Sequence, residues 1–234
     1  MNTGPEPVNA LIEGVIFDLD GVLVDSEIWW DEARIAFAAE YGRRWTADDQ
    51  AAVMGANSHA WAAIMRERLE LDLPDVVIER AIVDVMIERY RDQGAPRIDG
   101  AVEAVRRIAV DWPVAVASSA HAEVISAALN AIDLADQFEV VVSADEVDHG
   151  KPAPDVYLET ARRLGIRPEA CMVVEDSRNG VRAGKAAGMT VVLVPNHSVP
   201  PAPGAAELAD HVLARLEDLD PAALGRSRSA FRPL

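Results

Sequence analysis

Residues 14–27 read GVIFDLDGVLVDSE. Gly14 to Phe17 is an apolar, β-branched run of strand length, and Asp18 and Asp20 follow before Gly21 turns the chain. Because this run does not alternate with polar residues, both faces of its sheet are expected to be covered. Similar runs recur at Val114 to Ala117, Glu139 to Val142, Met172 to Val174 and Thr190 to Val194, with a last short strand expected around His211 to Leu213. Helix-period segments separate them: Ala101 to Val110, Ala122 to Ala131, Asp155 to Leu164, and Ser177 to Ala187 closed by Gly188. Strand–helix alternation predicts an α/β fold, a doubly wound three-layer core with a parallel central sheet and Asp18 on a middle strand. The two acids then stand beyond the carboxyl end of a strand, where open parallel sheets bind ligands. Asp-x-Asp-Gly also opens calcium loops, but the further acids and closing Glu of an EF-hand are missing.

The interval Val22 to Gln93 breaks the alternation, since it carries helical signals and no convincing strand. It reads as an inserted helical domain of at least three helices, at 22–93, between core segments at 1–21 and 94–234. Trp30, Ala33, Phe37 and Tyr41 share one face of its first helix, and Ile78, Ile82, Val85 and Met86 one face of its last. Thr46 and Asp49 resemble a helix-start capping arrangement, and Pro74 suits the opening of the final helix. Val22 to Ser26 and Gly94 to Asp99 are the expected hinges. The proline-rich Val199 to Gly204 reads as a surface loop, and the tail Gly225 to Leu234 as a frayed end.

With 234 residues, 50% hydrophobic and 26% charged, the chain suits a globular domain with an insert and a sizeable core. A formal net charge of -17 opposes binding to nucleic acid or an anionic membrane. The lone cysteine, Cys171, excludes an internal disulfide and reads as buried, not reactive. The opening MNTGPEPVNA has neither a basic start nor an apolar run, and no segment has the ~20 apolar residues of a membrane span. The expected setting is cytoplasmic, the expected state a monomer.

DLDGVLVDSE resembles the first motif of the haloacid dehalogenase superfamily, in its Mg-dependent, phosphatase-like branch. Three further motifs follow in order: VAVASS with Ser118, HGKPAPD with Lys151, and VVEDSRNGVRAGKAAGM with Glu175 and Asp176. The resemblance covers nearly the whole chain and implies a helical cap inserted after the first motif. It implies Asp18 as nucleophile, forming an aspartyl-phosphate, and Asp20 as general acid and base. Asp18, Asp20 through its carbonyl, and Asp176 resemble Mg2+ ligands, with Glu175 in support. Ser118, the Ser119 amide and Lys151 would hold the phosphoryl oxygens. The dehalogenase branch lacks the second acid, so Asp20 argues for phosphorus over carbon.

The resemblance further implies that the cap contacts the leaving part of a small phosphorylated metabolite. Its site resembles those of sugar-phosphate phosphatases and β-phosphoglucomutase. The mutases follow a Gly-x-Ser pattern with an arginine that is missing after Gly55-Ala56-Asn57-Ser58, and carry a histidine where Trp30 stands. Hydrolysis of a sugar or polyol phosphate is therefore expected, with a phosphosugar mutase as the alternative and Arg34 or Arg66 as arginines able to substitute. Trp30, Asn57 and His121 are the candidate substrate contacts, while Trp29, Trp45 and Trp61 read mainly as core. Val22 to Gln93 holds no lysine, which excludes the Schiff-base chemistry of phosphonate-cleaving relatives.

Overall fold

The computed structural model describes residues 11–225. Six parallel strands form one sheet in the order β3-β2-β1-β4-β5-β6. They are β1 (Gly14–Phe17), β2 (Val114–Ser118), β3 (Val140–Ser143), β4 (Cys171–Glu175), β5 (Thr190–Leu193) and β6 (His211–Val212). The chain winds outward from β1 to β3, then crosses back to lay β4 against the other side of β1. That reversal opens a crevice at the carboxyl end of β1.

Every residue of β1, β2 and β4 is buried, as expected for a sheet covered on both faces. Alternate side chains go to opposite layers. Val15, Phe17, Val116 and Val174 join one apolar cluster with α5 (Ala101–Ile108) and α6 (Ala122–Ala131). Ile16, Ala117 and Val173 join the other, with α7 (Asp155–Leu164) and α8 (Arg178–Ala186). Cys171 begins β4 fully buried, and burial pushes its thiol up to about 12. The tail arginines Arg226, Arg228 and Arg232 lie outside the described residues.

Between β1 and α5 the chain forms a helical cap: α1 (Glu27–Glu40), α2 (Ala47–Val53), α3 (Ser58–Arg68) and α4 (Asp75–Gln93). Thr46 and Asp49 close a reciprocal capping box on α2, the shorter Asp serving where Glu or Gln is usual. Trp30, Ala33 and Phe37 are buried, as are Ile78, Ile82 and Met86, and all join the cluster on the α5/α6 face of the sheet. The helical stripes run one residue short of expectation. Tyr41 falls at the C-cap of α1 and is 44% exposed, packed on Phe37, while Val85 turns away from the cap core and is 37% exposed. No helix among the described residues is long and apolar enough to cross a membrane.

Candidate active site

The register brings three strand ends together. Phe17 pairs with Val116 of β2 and Val174 of β4, so Asp18 stands beside Ala117 and Glu175. Its amide donates to the Val174 carbonyl at 3.0 Å, carrying the ladder one residue past the strand. Ser118, Asp18 and Glu175 therefore share one edge of the sheet because each directly ends or follows an apolar run.

Lys151 joins these strands. Its Nζ donates to Asp18 Oδ1 and Glu175 Oε1, each at 2.7 Å, and to the Ala117 carbonyl at 3.2 Å. Tyr157 of α7, which sequence reading passed over, donates its hydroxyl to Glu175 Oε1 at 2.7 Å, and its ring lies 4.9 Å from Lys151 Nζ. Glu175 Oε2 accepts from the Asp176 and Ser177 amides and from Ser177 Oγ. The carboxylate fits only because residue 180 is glycine: a Cβ there would stand 1.7 Å from Glu175 Oε1. Gly21 is equally constrained, with φ +86° and Asp176 Oδ2 2.0 Å from where a Cβ would sit.

Carboxylate oxygens of Asp18, Glu175 and Asp176 lie within 4.8 Å of one another, all buried. Against these three acids stands one close cation among the described residues, Lys151. Burial opposes charge on Glu175, but the ammonium, Tyr157 and the backbone donors overcome it and hold its pKa below the usual range. Asp18 shares only the ammonium, and Asp176 has no such donor among the described residues. Burial, with Lys151 opposing, pushes Asp18 up to about 8, and burial with the neighbouring Glu175 and Asp18 charges raises Asp176 well above a normal carboxylate. The Asp176 carboxylate accepts no hydrogen bond from the described residues. Three buried acids and one lysine leave two positive charges wanting, which suits a divalent cation on hard oxygen ligands.

This imbalance has a signed consequence in excess chelator. Between the unfolded Asp value of 3.8 and the folded value near 8, the native state binds more protons than the unfolded state. Metal-free stability is expected to fall as pH rises through that window, and to fall again on the acid side as Glu175 protonates. Urea midpoints from pH 4 to 8, with chelator and with added divalent cation, test this. A metal-free midpoint that rises towards pH 8 would contradict it.

Asp20 stands opposite. Its Oδ1 accepts from Ser26 Oγ and, at 3.0 Å, from Trp30 Nε1, while Ser118 Oγ lies 3.5 Å from Oδ2. Ser118 is fully buried and accepts from the Ala120 amide at 3.0 Å. Ser119 reaches the cap, donating to the Gly55 carbonyl at 3.2 Å. Asp18, Asp20, Trp30, Ser119, Lys151 and Asp176 all line one cavity of about 560 Å³ between sheet and cap.

Asn57 and His121 are placed differently, and neither is on the cavity wall. Asn57 caps α3: its Oδ1 accepts from the Ala60 amide at 3.0 Å and its Nδ2 donates to the Ala144 carbonyl at 3.4 Å, across the cap–core seam. His121 caps α6, accepting from the Glu123 amide at 3.3 Å. Conversely, Val199 to Ala202, read as an ordinary surface loop, border the cavity. That loop is tied to the segment after β1 by Asn196, which donates to Asp25 Oδ1 at 3.0 Å, and by Ser198 Oγ to the same carboxylate. Arg34, Glu27, Gln50 and Trp61 are among the residues on the cap side of the wall.

The haloacid dehalogenase-like hydrolase profile matches residues 12–188. The chain is 33% identical over 192 residues to the phosphorylated carbohydrates phosphatase of Thermotoga maritima, spanning 80% of this chain and 87% of that one. It is 34% identical over 193 residues to hexitol phosphatase B of Escherichia coli, spanning 79% and 84%. Among solved structures, β-phosphoglucomutase from Clostridium difficile superposes with a TM-score of 0.76 at 20% identity, over 89% of this chain and 93% of that one, a likeness of fold. A profile that runs from the start of β1 past α8, on a sheet that gathers its motif residues at one edge, leaves one conclusion: the chain belongs to the haloacid dehalogenase-like hydrolases.

Proposed function

We propose that this enzyme hydrolyses small phosphomonoesters, sugar or polyol phosphates, through a phosphorylated Asp18, with Mg2+ as its metal. The observation that carries this reading is the convergence of Asp18, Asp20, Lys151 and Asp176 on one capped cavity. Asp18, the Asp20 carbonyl and Asp176 would hold the ion, with Glu175 in support. Bound there, it supplies the charge that lets an anionic nucleophile approach an anionic phosphoryl group.

The residues divide the chemistry. An Asp18 carboxylate oxygen attacks phosphorus in line with the ester oxygen, which leaves with a proton from Asp20. Asp20 then takes a proton from water, whose oxygen attacks the Asp18 phosphoryl group and releases phosphate. Ser26 and Trp30 hold Asp20 on its Oδ1 side throughout. Lys151 balances charge at Asp18 and the transferring oxygens, with Ser118 and the Ser119 amide as donors. The cap meets the core beside the cavity through Ser119 to Gly55, Ser58 to Asp145 and Asn179 to Met54, which narrows the access of bulk water.

The names of the relatives support phosphorylated carbohydrates as the substrate class. A mutase is not favoured: His59, not arginine, follows Gly55 to Ser58, and Asn57 in that stretch is spent capping α3. A buried lone thiol suits a reducing, cytoplasmic setting. Phosphate release from a panel of hexose, hexitol and nucleotide monophosphates, with Mg2+ and with chelator, tests the reading. The expected result is Mg2+-dependent release favouring the sugar and polyol esters. Isomeric esters without free phosphate would overturn it.

A further inference from the structure

At the cap end of the cavity stands a buried cation whose hydrogen bonds are only partly met. Arg34 of α1 lines the wall and is 6% exposed. Its Nη1 donates to Gln50 Oε1 at 3.2 Å, and that oxygen is fixed in turn by Trp45 Nε1, also at 3.2 Å. Its Nε is buried with no partner, and the guanidinium forms no ion pair among the described residues. Trp30 and Trp61 hold it, with their ring centroids 5.3 and 5.5 Å away.

Acids share that cavity with Arg34: Asp18, Asp20, Glu27 and Asp176 all line the wall. Burial pushes the Arg34 pKa down to about 10 and the Glu27 carboxyl up to about 7, and the carboxylates of Glu27, Asp31 and Asp20 favour the Arg34 charge. A second anionic group on the ligand would enter a wall already rich in carboxylates. A neutral oxygen acceptor at the guanidinium would add no charge. Glu27 lines the same cavity and offers acceptor oxygens. A donor and an acceptor on one wall match adjacent hydroxyls, each of which both gives and takes a hydrogen bond. The faces of Trp30 and Trp61 suit the C–H surface of the carbon chain that bears them.

We propose that Arg34 and Glu27 form the specificity subsite for the alcohol part of the substrate, selecting an uncharged, polyhydroxylated leaving group over one that carries a carboxylate or second phosphate. This rests on the phosphatase reading above and narrows its substrate class.

The test compares kcat/KM for a hexitol 6-phosphate, the aldonate phosphate of the same chain length, and p-nitrophenyl phosphate. Wild type is expected to prefer the hexitol ester over the aldonate by about tenfold or more. In Arg34→Gln, the preference for the hexitol ester over p-nitrophenyl phosphate should fall by about tenfold or more. Arg34→Lys, which keeps the charge and the stem but loses the planar fork, carries the same ratio test should the first variant not fold. Glu27→Gln should relax the discrimination against the aldonate ester. A ratio unmoved in the Arg34 variants, or a wild-type preference for the aldonate ester, overturns the subsite and leaves the phosphatase reading standing. Phosphate release from none of the three esters overturns the phosphatase reading itself.

Discussion

Asp18→Asn is expected to lower phosphate release by about four to six orders of magnitude while making the metal-free protein more stable at pH 8. The first effect follows from the nucleophile: an amide nitrogen or oxygen does not form the acyl-phosphate that a carboxylate forms, and no other acid on the cavity wall follows β1 at the level of Ala117 and Glu175. The second follows from the charge. Asp18 is a buried acid whose pKa stands near 8 because burial outweighs Lys151. Asparagine keeps the shape and an oxygen for the Lys151 hydrogen bond, and it removes the charge the site struggles to hold. Loss of activity with a gain in thermal midpoint in chelator separates a chemical role from a structural one, since a merely structural acid would lose both. Residual release above about 1% of wild type would remove Asp18 from the nucleophile's role.

Asp18 and Asp20 were legible from sequence because they follow an apolar run, and a parallel sheet sends every such end to the same edge. Lys151, Glu175 and Asp176 came by resemblance, as their place beside Asp18 depends on the crossovers. Tyr157 was not legible: it sits on the buried face of α7 as an ordinary core tyrosine would, and only the fold shows that its hydroxyl meets Glu175. The Val199 to Ala202 loop did carry a signal. It leaves the carboxyl end of β5, the edge where Asp18 and Glu175 stand, so its position argued for the cavity even as its prolines argued for a plain surface turn. Asn57 shows the opposite limit. Asn one residue ahead of a helix is a preferred N-cap, and that local role takes up the side chain before any ligand arrives. Trp30, on the buried stripe of α1, turned out to serve both core and site, since its ring is buried and its Nε1 reaches Asp20.

Lys151→Met is expected to destabilise the metal-free protein by about 3–5 kcal/mol at pH 8 and to cut phosphate release by at least about a hundredfold. Methionine replaces most of the aliphatic stem, and what disappears is the ammonium, with its hydrogen bonds to Asp18 and Glu175 and its place over the Tyr157 ring. Without it, Asp18, Glu175 and Asp176 face one another within 4.8 Å in a buried site with no close cation among the described residues. Glu175 then loses the partner that kept its pKa low, and joins the other two in taking up a proton as the protein folds. The deficit should therefore shrink as pH falls from 8 towards 5, where protonation relieves the repulsion, and should shrink again when Mg2+ is added at pH 8, because a divalent ion answers the same charge. Catalysis is expected not to recover with stability under Mg2+, because the proposed mechanism also sets the lysine against the transferring oxygens. Urea unfolding in chelator and in Mg2+ at both pH values, beside the release rate at saturating Mg2+, resolves the two roles. A variant as stable as wild type in chelator at pH 8 would show that the three acids do not share the charge deficit argued for them. A variant that Mg2+ restores fully in rate would show that Lys151 balances the buried acids and does not act on the phosphoryl group.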